Sequence, residues 1–376
     1  MRITEVTTTP LAIPFAQPFR WRSGVQHGAN LVLFTVETDE GIVGHGESIC
    51  EDPAAVQAYG RLMAQAFVGR SPGDIEAILG ELWRDGRWRF HPRFSLQVVS
   101  GLETACWDAL GKGLGVPAAT FLGGAVRTEV DVMGFPQGDT PDELARASAN
   151  LVASGHDVIY VKIGRPGHGD EEVVGAVRDA IGPDPLLRVD ANEAWDVPGA
   201  VDGVRSLEAF ALDWVEQPVA ADNVAGLARV RRSVDVKIAA DQAVHTTAEL
   251  RSVLEHEAAD AVVLGSHEAG GLWRWRQLAY LAESHGIPVN RHACVESEIS
   301  TFAALQVLAA IPNLTIGNQV MHQLLAEPLV TTPLEQDGGT MRVPTRPGLG
   351  FALDEDAVGR ARERHATQGP YLSVDR

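Results

Sequence analysis

A regular interval limits what this chain can fold into more than any single motif does. From about Thr128 onward, short apolar runs rich in β-branched residues alternate with stretches of helical spacing. The runs are EVDVMGF, VIYVKIG, LLRVDAN, ALDWVEQP, VKIAADQ, DAVVLGS, IPVNRH and LTIGNQ. The positions that close six of them are Lys162, Asp190, Glu216, Asp241, Gly265 and His292, which lie 28, 26, 25, 24 and 27 residues apart. Each interval holds one strand and the crossover helix that a parallel neighbour requires. Eight such runs predict a (β/α)8-type barrel of about 200 residues. The competitor is a doubly wound open sheet. It would carry a Gly-rich phosphate turn after its first strand, and the sequence has none there.

The first third reads differently. ITEVTTTPLAI and NLVLFTVETDEGIVGHGES alternate apolar and polar residues around a TDEG turn, which predicts an antiparallel meander. From Pro53 to Gly124 the spacing becomes helical, with SLQVVSGLETACWDALGKGLG as one long helix. The expected division is an α+β capping domain (1–126), a barrel (127–328) and a Pro- and Gly-rich segment (329–376) that folds back on the cap.

Composition narrows the partners. A net charge of −19 argues against a nucleic-acid surface, which needs clustered Lys and Arg. No apolar run reaches the ~20 residues of a membrane span, and the first residues do not read as a signal peptide. Three scattered cysteines are too few for a disulfide framework or a Cys-metal cluster. The expected protein is a homo-oligomer in a reducing cytoplasm that acts on a small molecule.

In a barrel the C-terminal strand ends form the active-site face. Three successive runs end in carboxylates: Asp190 in RVDAN, Glu216 in WVEQP and Asp241 in AADQA. Inward carboxylates without a compensating Arg repel one another, and a divalent cation resolves this. All-oxygen ligation suits Mg²⁺. The competing reading makes each acid the N-cap of the next helix. Lys162 closes the preceding run, with Tyr160 on the same face by period two and therefore expected beside it as a catalytic residue. Desolvated near a metal, a lysine can have a lowered pKa and serve as a base; the alternative for Lys162 is an ion pair with one of the acids.

These strand ends resemble those of the enolase superfamily, in its mandelate racemase and muconate lactonizing enzyme branch, which uses a Lys or His base with Mg²⁺. VKIG, VDAN, VEQP and AADQ match in order and spacing, and GLETACWDALGKGLGVPAATFLGG resembles the helix that closes the family's capping domain. The resemblance spans nearly the whole chain. It implies a modified TIM barrel, (β/α)7β, with an α+β cap. It implies Asp190, Glu216 and Asp241 as Mg²⁺ ligands, Lys162 as acid/base, and Asn192 and Glu296 as polar neighbours of substrate or base. There are departures. Tyr160 stands where the family often has a second Lys. Gly265 stands where the lactonizing branch has Lys and the racemase branch has Asp. Gln242 replaces a usual Glu. His292 falls where the racemase branch has its histidine, and is expected as the second acid/base; the alternative is a packed or surface histidine.

Cap loops should choose the substrate. The stretch RWRSGVQH, Arg20 to His27, offers Arg22 and His27 to the distal end of a carboxylate substrate; ESICED (Glu47 to Asp52) is a second candidate, and WRFHPR (Trp88 to Arg93) is read as a subunit contact. The expected activity is α-proton abstraction from a carboxylate. Dehydration of a hydroxy acid or hydroxylated amino acid is the first reading, and racemisation, epimerisation or cycloisomerisation the alternative. The absence of a Lys at 265 weighs against cycloisomerisation. A binding protein on an enzyme fold is the rival from another class.

Overall fold

The alternating residues of the first fifty positions form three antiparallel strands, β1 (Ile3–Trp21), β2 (Gly24–Thr38) and β3 (Val43–Ile49), ordered β1-β2-β3. The computed structural model describes residues 1–21, 24–50, 52–86, 92–165 and 167–371. Arg22, Glu51 and the 88–91 part of WRFHPR lie outside the described residues. Helices α1 (Pro53–Ala64), α2 (Ile75–Gly86) and α3 (Pro92–Leu114) follow, and α3 lies across the sheet. Asp52 starts α1 by accepting from the Ala54 amide, with Pro53 at the first helical position.

Two glycines let α3 touch the sheet backbone to backbone. A Cβ on Gly44 would stand 2.1 Å from the Ala105 carbonyl, and one on Gly46 would stand 2.3 Å from that of Gly101. No flexible side chain can yield there, so the cost is overpacking. Gly46→Ala is expected to destabilise the protein by ~2 kcal/mol or more, read as a lower denaturation midpoint without a new transition.

The barrel begins after β4 (Glu129–Asp131). The run EVDVMGF divides. Its first three residues pair antiparallel with a strand near the end of the chain, and Val132 and Gly134 bridge in parallel to Asn318 and Ile159. Then come α4 (Pro141–Ala153), β5 (Val158–Lys162), α5 (Asp170–Ile181), β6 (Leu186–Asp190), α6 (Val197–Leu207) and β7 (Leu212–Glu216). They are followed by α7 (Val224–Ser233), β8 (Lys237–Ala240), α8 (Thr247–Glu255) and β9 (Ala261–Leu264). A short α9 (Ser266–Ala269) precedes α10 (Leu272–Glu283), β10 (Val289–Arg291) and α11 (Glu298–Leu308). Thr246 and Glu249 form the capping box at the start of α8, and Thr140 and Glu143 form one on α4.

Strands β5 to β10 are parallel neighbours in sequence order. The bridges Gly134↔Ile159, Val132↔Asn318 and Val289↔Leu314 join the arc round through residues 132–134 and 314–318. The expected modified barrel is therefore the observed one. At the end away from the carboxylates, buried Arg188 pairs with Asp213 and lies 3.5 Å over the Trp214 ring. The chain then forms β11 (Gln336–Asp337) and β12 (Thr340–Arg342), the latter beside β4, and ends its regular structure in α12 (Glu355–Gln368). That helix packs on β1, where Arg364 donates to the Ala12 carbonyl at 2.8 Å. Among the described residues no helix is long and apolar enough to cross a membrane.

Candidate active site

Lys162, Asp190 and Glu216 stand in register on adjacent strands, because β5 pairs Lys162 with Asp190 and β6 pairs Asp190 with Glu216. Asp241 follows β8. The three carboxylates are at most 2% exposed. Lys162 Nζ is 2.5 Å from Asp190 Oδ2, and the Tyr160 hydroxyl lies 2.6 Å from that oxygen and 3.0 Å from Glu216 Oε1. Gln319 donates its amide to Glu216 at 3.1 Å. Gln217 accepts from the amides of Asp241 and Ala243 and so fixes the turn after β8. Asp241 Oδ2 is buried without a hydrogen-bond partner.

Electrostatics follow from this crowding. Burial, then Asp190 and Asp241, push the Glu216 carboxyl well above its usual range; burial pushes Asp241 up to about 7 despite His292. Burial alone would lower the pKa of Lys162, but Asp190 and Glu216 outweigh it and hold the group above its ordinary value. The expected lowered pKa is thus reversed in the protein alone. Lys162 stands as an ammonium that compensates part of the acid charge. Lys162 compensates one of the three buried carboxylates, and His292 beside Asp241 is already paired with Glu268, so negative charge remains that a hard divalent ion would fit.

Across the barrel mouth, Gly265 closes β9 and His292 follows β10. Glu268, on the first turn beyond Gly265, reaches His292 Nδ1 at 3.1 Å. Nε2 of the same ring is 3.7 Å from Asp241. Burial would lower the imidazole pKa, but Asp241 and Glu268 hold it well above the usual value. Gly265 is what makes this pair possible. A Cβ there would stand 2.3 Å from Glu268 Oε2 and 2.9 Å from the His292 carbonyl. The position that resembled a missing acid is the space that a neighbouring acid fills.

A cavity of about 450 Å³ joins these groups to the cap. Lys162, Asn192, Asp241, Glu268, His292 and Cys294 line its floor, and Phe15, Phe19, Trp21 and Ile49 its cap side. Tyr371 closes one wall. Its backbone is held by both ends of the Asn30 amide, at 3.1 and 2.8 Å, and its ring occupies the space that a Cβ on Gly28 would need.

Not every expected residue reaches this cavity. Tyr160 is fully buried beneath it and braces Asp190 and Glu216, so its hydroxyl faces the carboxylates and is not a lining group. Burial and Asp190 raise its pKa, so it stays a neutral phenol. Glu296 is buried against Arg291 and His267, behind the lining. His27 is exposed, whereas its neighbours Gln26 and Gly28 line the cavity, as the alternation of a strand requires. Asn192 does line it, and its backbone N–H donates to Asp190 Oδ1 at 2.8 Å.

Glu268, Gln319 and Tyr371 carry no strand-end signal and were not legible as site residues. Among the described residues, the His, Cys, Asp and Glu donor atoms that gather within 4.8 Å of one another belong to Glu268, His292 and Cys294, not to the three strand-end acids. The acids are the set whose chemistry suits Mg²⁺.

Residues 3–123 match the model of the mandelate racemase / muconate lactonizing enzyme N-terminal domain, and residues 143–357 match that of the enolase C-terminal domain-like family. The chain is 28% identical over 370 residues to an N-succinyl-L-Arg/Lys racemase of Bacillus cereus, covering 95% of this chain and 97% of the relative. It is 29% identical over 390 residues to a muconate cycloisomerase of Acinetobacter lwoffii, covering 100% and 99%. A crystal structure of N-succinyl Arg/Lys racemase from Bacillus cereus superposes with a TM-score of 0.90 at 26% identity, over 96% of this chain and 98% of that one.

Proposed function

The chain belongs to the mandelate racemase / muconate lactonizing enzyme family of the enolase superfamily, and from that premise we propose that it racemises or epimerises the carbon next to a small carboxylate. The observation that carries this is a single cavity with two proton-handling groups: Lys162 from β5, and His292 from the segment after β10 paired with Glu268 of α9, with β5 and β10 at opposite ends of a six-stranded arc. Inverting a centre requires a proton to leave one face and another to arrive at the opposite face. Racemase and cycloisomerase relatives favour isomerisation over dehydration, the activity that the sequence first suggested.

Asp190, Glu216 and Asp241 would hold Mg²⁺, which when bound supplies Lewis-acid stabilisation of the charge that collects on the substrate carboxylate. The rest is done by side chains. Lys162 Nζ and the His292 ring exchange protons with the α-carbon. Loss of one proton from the two cations leaves a base facing an acid, and which group is the base sets the enantiomer that reacts. Glu268 orients the imidazole through Nδ1, as carboxylates do for functional histidines. Tyr160 and Gln319 hold Asp190 and Glu216 in place. The aromatic cap wall excludes water and so strengthens the charges beneath it. In this reading, residues 1–126 with 329–376 cap the barrel of 127–328 and select the substrate.

The test is α-proton exchange in D₂O with Mg²⁺, followed by NMR across N-acyl amino acids, hydroxy acids and acid sugars. A substrate is expected to gain deuterium at the α-carbon and to return with inverted configuration. Loss of water instead would favour the dehydratase. Glu268→Gln is expected to slow exchange from the enantiomer served by His292 by ~10²-fold, with the other enantiomer affected less.

A further inference from the structure

We propose that Glu268, His292 and Cys294 form a second metal site, for a borderline or soft divalent ion such as Zn²⁺, and that filling it switches the enzyme off. His292 Nδ1 is 3.1 Å from Glu268 Oε1, and Cys294 Sγ is 3.6 Å from that oxygen and 4.0 Å from Nδ1. A tetrahedral zinc with bonds of ~2.0–2.3 Å places its ligand atoms ~3.3–3.6 Å apart. The three atoms are within tenths of an ångström of that spacing, and because Sγ is also 4.0 Å from Nε2, a turn of the imidazole completes the alignment of Nδ1.

The donor set argues for the ion. Imidazole and thiolate select zinc-like metals, whereas the strand-end acids select magnesium-like ones. Three protein donors also leave a fourth position open, as in zinc sites that accept water or substrate. All three residues line the cavity, so an ion can enter by the route that the substrate takes. Binding forms Zn–S, Zn–N and Zn–O bonds, breaks the Cys294 S–H and His292 Nδ1–H bonds, and passes both protons to bulk water. Nothing is oxidised or reduced.

Inhibition rests on His292 being one of the two proton-transfer groups; binding does not. Zinc at Nδ1 takes the place of Glu268 as the partner of the ring. An imidazole bound there has only the Nε2 proton, and losing it would give an imidazolate far too basic to cycle near neutral pH. The open zinc position also draws the substrate carboxylate away from the acids.

The probe is Co²⁺, then Zn²⁺, added to Mg²⁺-saturated protein. Thiolate ligation is expected to give a near-ultraviolet sulfur-to-cobalt charge-transfer band, lost in Cys294→Ser and kept in Cys50→Ser, which alters the other cysteine lining the cavity. Zinc affinity by calorimetry should fall by more than ~10²-fold in Cys294→Ser. If that variant does not fold, Glu268→Gln should keep the band while losing affinity. No band in the wild type, or a band that survives Cys294→Ser, overturns the site. Turnover that ignores zinc in a protein showing the band overturns the switch. A band in a protein that exchanges no α-proton leaves the metal site standing and removes the isomerase reading instead.

Discussion

Lys162→Ala is expected to abolish turnover and to stop α-proton exchange from the enantiomer that Lys162 is proposed to serve, a loss of ~10⁴-fold. General acid–base groups contribute ~10²–10⁴-fold, and here nothing replaces the missing one. Among the described residues Tyr160 is the nearest titratable neighbour on the strand, and it is held as a neutral phenol beneath the cavity. The substitution also leaves Asp190 without its ammonium partner. Lys162→Arg therefore serves as the control. It restores a cation beside Asp190 but no usable base, so it should recover thermal stability and not activity. Exchange from both enantiomers in Lys162→Ala would remove the lysine from the mechanism.

Asp241→Asn separates metal binding from folding. Loss of one of three carboxylates is expected to weaken Mg²⁺ binding by ~10²-fold or more and to remove activity. The sign of the stability effect is opposite. Asp241 has a raised carboxyl pKa, about 7, so ionising it costs more in the folded than in the unfolded chain. Metal-free wild type should therefore lose stability as pH rises from ~4 towards 7, and the loss persists above 7. Asparagine removes that cost. In calorimetry at pH 8 without metal, the variant should melt no lower than the wild type; with Mg²⁺ the wild type should rise and the variant should not. An Mg²⁺-induced rise of equal size in both proteins would exclude Asp241 as a ligand.

The sequence carried the barrel because its signal is repetitive. Polar strand ends recur at one βα interval, and β5 to β10 follow that interval in order. Lys162, Asp190, Glu216 and Asp241 were legible for the same reason: each closes a strand, and strand ends converge. What stayed hidden depends on contacts that spacing does not encode. Glu268 reaches His292 from a turn, Gln319 reaches Glu216 from far along the chain, and Tyr371 reaches the cavity because Asn30 and Gly28 receive it. Tyr160 misled in the other direction. Period two placed it correctly on the face of Lys162, but its depth in the strand put its hydroxyl under the carboxylates.

The space at Gly265 has a consequence for how such a protein changes over evolution. A lysine or an aspartate there, as the family pattern would have it, is crowded as a single substitution, because its Cβ would stand 2.3 Å from Glu268 Oε2 and 2.9 Å from the His292 carbonyl, and Glu268 would have to leave His292 to make room. Removing Glu268 first leaves His292 without its orienting acid. Changing both positions removes the contact with Glu268 and leaves the His292 carbonyl to give by a few tenths of an ångström. The two positions are epistatic, with coupling on the scale of directly contacting residues, ~0.5–3 kcal/mol. A redesign that moves the acid from the turn to the strand must therefore change residues 265 and 268 together.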